Sequence, residues 1–170
     1  MNALSVEALD REIAEVVEHL AQALRGKGWM LCTAESCTGG WMSKVCTDLA
    51  GSSDWFYGGF VCYSDPAKEH QLGVIHDDLL QHGAVSEEIA SQMALGARRA
   101  SAAGITVSAT GIAGPGGGMP NKPVGLVCFG WSVIGGKIHT ASEIFSGDRD
   151  QVRRQTVLYA LRGVLDLLED

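Results

Sequence analysis

An apolar run, Trp29-Met30-Leu31-Cys32, breaks into the cluster Thr33-Ala34-Glu35-Ser36-Cys37-Thr38-Gly39-Gly40 and resumes as a helical pattern at Trp41, Met42, Val45, Cys46 and Leu49. A chain with this pattern has to pass from a strand into a helix across the polar cluster. The first N–H groups of such a helix lack intrahelical partners and its dipole is positive there, so a hydroxyl at the turn has donors ready for an oxyanion. Ser36 is the candidate nucleophile on this reasoning. The same stretch is also compatible with Ser36 and Thr38 doing no more than capping the helix.

The remaining chain alternates in the same way. Leu9, Ile13, Val16, Val17, Leu20 and Leu24 recur at helical spacing before Gly26 and Gly28, which predicts a helix from about Val6 to Arg25 and then a strand from Trp29 to Ala34. Trp55 to Tyr63 is rich in aromatic residues and reads as a strand. Gly58-Gly59 inside it marks a bulge or a close approach by a ligand or another backbone. In Tyr63-Ser64-Asp65-Pro66-Ala67-Lys68, Asp65 is suited to cap a helix and Pro66 to open it, which puts Lys68 in a first helical turn. Ser86 caps a further helix through Ile89, Met93, Ala97 and Ala100. The strand Ile105 to Ala109 then runs into the loop Thr110-Gly111-Ile112-Ala113-Gly114-Pro115-Gly116-Gly117-Gly118.

That loop has no Lys-Ser/Thr after Gly116 and no GxGxxG register, so neither nucleotide-loop signature fits. Its glycines still leave backbone N–H groups free to face an anion or a carbonyl oxygen. Val124 to Ile134 and Ile138 to Phe145 flank Gly135-Gly136 as a hairpin. Asp148 and Gln151 form a capping box for a last helix that carries Arg149 and Arg153 on its first turns.

Strands alternating with helices, followed by a hairpin and a terminal helix, predict one domain over residues 1–170. Its architecture is a three-layer α/β/α sandwich with a mixed, mostly parallel sheet. Ligands of open α/β sheets bind beyond the carboxyl ends of the strands. Ser36, Tyr63 and Thr110 all fall at such ends, with Lys68 one turn further on, so four separated residues collect into one expected site.

Composition excludes several other classes. A formal net charge of -7 argues against a nucleic-acid backbone as partner. Five cysteines without a CxxC pair point to reduced, buried thiols in a cytoplasmic protein. Met1 to Asp10 carries no basic leader, and no apolar stretch is long enough for a membrane span. His70, His76 and His82 are spaced by six, which matches no zinc signature, so no metal is expected. The 22 glycines cluster at Gly58-Gly59, Gly111 to Gly118 and Gly135-Gly136, as tight turns and ligand-facing backbone would require.

TAESCTGG, YSDPAK and ATGIAGPGGG followed by KPVG, in that order and spacing, closely resemble the C-terminal domain family of the competence/damage-inducible protein CinA. The match covers nearly the whole chain. Enzymes of that family are nicotinamide-nucleotide amidases, which hydrolyse nicotinamide mononucleotide to nicotinate mononucleotide and ammonia. The resemblance implies Ser36 as nucleophile with Tyr63 and Lys68 as its proton-handling partners, no cofactor and a stand-alone amidase form. It is the basis for expecting substrate contacts from Cys37, Thr38, Gly39, Gly40, Thr110, Gly111, Gly114 and Gly116. The substrate would carry a 5′-phosphate, for which Arg149 and Arg153 are candidate anchors. A homo-oligomer is left open. Two other readings stand beside this one: a non-catalytic nucleotide-binding or interaction module of the same fold, and a thiol hydrolase using Cys37.

Overall fold

The computed structural model describes residues 5–169; Asp170 and the first four residues of the acidic N-terminal segment lie outside the described residues. Helix α1, Val6–Lys27, is capped by Ser5 and buries Leu9, Ile13, Val16, Val17, Leu20 and Leu24, the apolar stripe its sequence spells. It leads through Gly28 into β1, Leu31–Glu35, all five residues of which are buried. The elements that follow are α2, Trp41–Asp48; β2, Phe56–Val61; α3, Asp65–Leu72; α4, His76–His82; and α5, Glu87–Ala100. The chain closes with β3, Ile105–Gly111; β4, Leu126–Val133; β5, Ile138–Ile144; and α6, Arg149–Glu169.

The strands form one sheet in the order β2-β1-β3-β4-β5. β1 pairs in parallel with both β2 and β3, while β3–β4 and β4–β5 are antiparallel, so four of the five strands run the same way. Helices α1, α2 and α6 close one face over Leu31, Ile105, Val107, Phe129 and Trp131. Helices α3, α4 and α5 close the other, packing Leu72, Leu79, Ile89 and Met93 over Cys32 and Ala34. The α/β/α sandwich expected from the alternation is therefore present, with the mixed sheet completed by the hairpin around Gly135-Gly136.

Several expected boundaries move, and the shifts bear on function. β2 ends at Val61, which leaves Tyr63 beyond the strand. Ser64, whose hydroxyl accepts from Ala67 N, caps α3 where Asp65 was expected to do so. β3 continues to Gly111, placing Thr110 and Gly111 in the sheet and not in the glycine loop. The close approach anticipated at Gly58-Gly59 comes from the protein itself, because a Cβ on Gly59 would run into the hydroxyls of Ser43 and Thr33. α2 begins only after Gly40, which at φ +97° takes the left-handed conformation that glycine adopts without strain.

Candidate active site

The three parallel strands lie side by side and end at one edge of the sheet. Glu35, the last residue of β1, is in register with Val61 on one side and Ala109 on the other. The next step along β1 continues the ladder: Ser36 N donates to Ala109 O at 3.0 Å, and Cys62 N donates to Glu35 O at 2.8 Å. Register therefore brings Ser36, the segment running to Tyr63 and Lys68, and Thr110 to one edge.

Lys68 is buried, at 1% exposure. Its Nζ donates to the Tyr63 carbonyl at 2.9 Å and lies 3.6 Å from Asp65 Oδ1. Desolvation pulls its pKa below the ordinary lysine value, against the opposing charge of Asp65. Tyr63 thus meets Lys68 through its backbone, while its side chain is 63% exposed. Ser36 is 7% exposed and Cys37 5%. Burial pushes the Cys37 thiol up to about 12, against the pull of the nearby Arg153 and Lys68. A buried thiol held that far above neutral stays protonated, which disfavours attack by it.

The residue that sequence reasoning missed is Glu35. It is wholly buried, and its carboxylate accepts three backbone N–H groups, from Gly40 at 3.0 Å, Met42 at 2.9 Å and Ser43 at 2.8 Å. It also accepts the hydroxyls of Thr33 at 3.1 Å, Thr38 at 2.7 Å and Ser43 at 2.7 Å. Gly40 is the N-cap residue of α2, and Glu35 takes up the free N–H groups that Ser36 or Thr38 was expected to satisfy, at the positive end of that helix. The available signal was a lone acidic residue ending an otherwise apolar strand, with Thr33, Thr38 and Ser43 placed around it.

The glycine loop and the arginines are bound differently from expectation. Thr110 Oγ1 donates to Ala84 O at 2.9 Å, so its hydroxyl braces the sheet against the loop before α5. A Cβ on Gly111 would meet Val127 at 2.7 Å, a packing reason for glycine there. Arg149 is exposed, and its guanidinium donates to Gly114 O at 2.8 Å. Arg153 donates from Nε to Cys37 O at 3.0 Å and from a terminal nitrogen to Thr38 O at 2.9 Å, with its guanidinium 5.0 Å from the centroid of the Trp41 ring. Both arginines reach site loops, yet the groups they hold are backbone carbonyls. The start of α6 is closed by the expected capping box, with Gln151 N on Asp148 Oδ1 and Asp148 N on Gln151 Oε1, each at 2.9 Å. Gly39 and Gly40 line a cavity of about 770 Å³ between α1, α2 and α6, together with Thr38, Trp41 and Arg153; Ser36 and Lys68 do not line it.

Comparison with known proteins agrees with this architecture. A family model described as the CinA C-terminal domain matches residues 13–168. The nicotinamide-nucleotide amidohydrolase PncC of Escherichia coli (strain K12) is 52% identical over 153 residues, covering 90% of this chain and 93% of the relative. The protein of the same name from Pseudomonas putida is 44% identical, covering 91% and 96%. Among solved structures, the competence/damage inducible protein CihA from Agrobacterium tumefaciens superposes with a TM-score of 0.90 at 40% identity, covering 94% of this chain and 96% of that one.

Proposed function

The chain belongs to the CinA C-terminal domain family, and from that premise we propose that it is a nicotinamide-nucleotide amidohydrolase with Ser36 as nucleophile and Lys68 as base. The observation that carries the mechanism is a lysine at 1% exposure, its pKa lowered by desolvation, in the helix that follows the strand paired with β1, whose carboxyl end leads into Ser36. A serine hydroxyl needs a base at neutral pH, and a lysine serves as one only when its environment disfavours the ammonium. The identity to amidohydrolases over nine-tenths of the chain supplies the substrate class.

The neutral amine of Lys68 takes the proton of Ser36 Oγ as that oxygen attacks the carboxamide carbon of nicotinamide mononucleotide. The tetrahedral intermediate collapses, the C–N bond breaks, and Lys68 returns the proton to the departing ammonia. Water then attacks the nicotinoyl ester, giving its proton to Lys68; as the ester bond breaks Lys68 passes that proton to Ser36 Oγ, which restores the serine hydroxyl and the neutral amine and releases nicotinate mononucleotide. Tyr63 contributes the carbonyl that holds Lys68 Nζ, and its exposed phenol is free to meet substrate. Arg149, exposed beside the glycine loop, retains guanidinium donors for the 5′-phosphate.

No described helix is long and apolar enough to cross a membrane. The five cysteines are buried and free, in keeping with a reducing, cytoplasmic setting. The test is direct: purified protein releases ammonia from nicotinamide mononucleotide, and Ser36→Ala protein of the same fold does not. Wild-type protein without ammonia release would end the proposal.

A further inference from the structure

We propose that Arg153 and Glu35 are positioning residues that grip the turn after Ser36 from two sides and hold out the Cys37 N–H as the oxyanion donor; the proposal deepens the amidase reading and rests on it. The donors of the turn can be accounted for one at a time. Ser36 N goes to Ala109 O, Gly39 N to Ser36 O and Trp41 N to Thr38 O. Gly40, Met42 and Ser43 N all go to Glu35. The N-terminus of α2, the usual place to seek an oxyanion hole, is thus occupied by a carboxylate and closed to substrate.

Among the described residues, this leaves between Ser36 and Ser43 the N–H groups of Cys37 and Thr38 with no partner on another residue, the Cys37 N–H lying against its own sulfur. Thr38 is 0% exposed, whereas Cys37, at 5%, adjoins Ser36 at 7%. Cys37 is therefore the donor a tetrahedral intermediate on Ser36 can reach.

Peptide planarity explains how the donor is aimed. In a trans peptide the N–H lies on the edge opposite the C=O, so fixing a carbonyl fixes the direction of the following N–H. The carbonyl before the Cys37 N–H is Ser36 O, held by Gly39 N; the carbonyl before that Gly39 N–H is Thr38 O, which Arg153 holds together with Cys37 O, so the guanidinium acts on the Cys37 N–H through Gly39. A guanidinium spans two neighbouring carbonyls with donors in a rigid fork, which an ammonium on a flexible stem does not reproduce. On the opposite side, Glu35 holds the Thr38 hydroxyl and Gly40 N, so the turn cannot rotate away from Arg153. Stacking on Trp41, at 5.0 Å, keeps the guanidinium in place.

The experiment compares wild type with Arg153→Ala, Arg153→Lys and Ser43→Ala on nicotinamide mononucleotide and nicotinamide riboside. A second readout is the rate at which a fluorophosphonate forms the Ser36 Oγ–P bond and expels fluoride. Loss of one oxyanion donor typically costs about 10²- to 10³-fold in kcat. Arg153→Ala should lose about 100-fold in kcat by that standard, by the same factor on both substrates, with KM within about threefold. The pH midpoint set by Lys68 should stay in place, added guanidinium ion should recover at least about tenfold, and Arg153→Lys should not be rescued. Ser43→Ala, which removes the hydroxyl shared by Glu35 and Thr33 and is compared as protein whose circular dichroism matches wild type, should lose severalfold in kcat.

Loss confined to the mononucleotide, or carried by KM, would make Arg153 a phosphate contact and overturn the proposal. So would phosphonylation at the wild-type rate in Arg153→Ala. Phosphonylation of wild type that slows about 100-fold in Arg153→Ala, with no ammonia released from either nicotinamide substrate, would support the positioning role and defeat the amidase reading alone.

Discussion

Lys68 Nζ donates to the carbonyl of Tyr63 at 2.9 Å, and that bond ties the only polar end of a wholly buried side chain to the segment just beyond β2. A carbonyl accepts from either the ammonium or the neutral amine, so it orients Nζ without holding the proton on it. Asp65, at 3.6 Å, favours the ammonium, and desolvation outweighs it. The balance leaves a lysine that is oriented and easier to deprotonate than usual.

The pH profile of kcat should therefore rise through a midpoint below the ordinary lysine value of 10.5. Lys68→Arg keeps the charge but stays protonated and should lose at least about 10²-fold, the typical contribution of a general base. Wild-type turnover by the arginine variant, measured as ammonia release, would rule out Lys68 as the base.

Ser36 and Cys37 are adjacent, but the Cys37 thiol is pushed up to about 12 by burial. Ser36→Ala should abolish hydrolysis, while Cys37→Ala should retain most of it and lose about 1–2 kcal/mol of stability from the vacated volume. Mass spectrometry of a trapped acyl-enzyme locates the nucleophile independently: an acyl group on Cys37 would exclude the serine route.

The same lysine makes a stability prediction. Its folded pKa lies below the unfolded value, so as pH falls under about 10.5 the unfolded chain takes up a proton that the native protein resists. Lys68 thus destabilises at neutral pH, and the penalty fades as pH rises through the window between the two pKa values. Lys68→Met should have a higher Tm than wild type at pH 7, with the gap narrowing toward pH 10. A gap that does not change with pH would mean that packing, and not protonation, sets it.

Arg149 is the remaining candidate for recognising the 5′-phosphate. Binding energy from a remote group also orients the reacting one, so nicotinamide riboside should be a poorer substrate in kcat as well as KM. Arg149→Ala should lower kcat/KM for the mononucleotide by about 10- to 100-fold, a charge-assisted contact being worth about 1.5–3 kcal/mol, and leave the riboside nearly unchanged. An equal loss on both substrates would assign Arg149 to holding the glycine loop through Gly114 O.

Local rules were enough for much of this molecule. The stripe of α1, the capping box of Asp148 and Gln151, the hairpin at Gly135-Gly136 and the alternation of strands with helices are all written in residues within a few positions of one another. Such features follow from period, capping and turn chemistry, which the unfolded chain already carries. That the segments carrying Ser36, Lys68 and Thr110 reach one edge of the sheet was legible for a related reason, because parallel strands place successive loops at one edge.

What only the tertiary structure decided are partnerships across long separations and the ownership of each hydrogen bond. Arg153 lies 116 residues from Cys37, and no local rule pairs a guanidinium with that carbonyl. Glu35 is close to its partners in sequence, yet its six bonds exist only because β1 is buried and a carboxylate taken out of solvent must find donors within reach. Sequence identified the residue types able to do acyl transfer. Burial and competition for donors determined which of them are tied up in holding the turn, as Glu35 and Arg153 are.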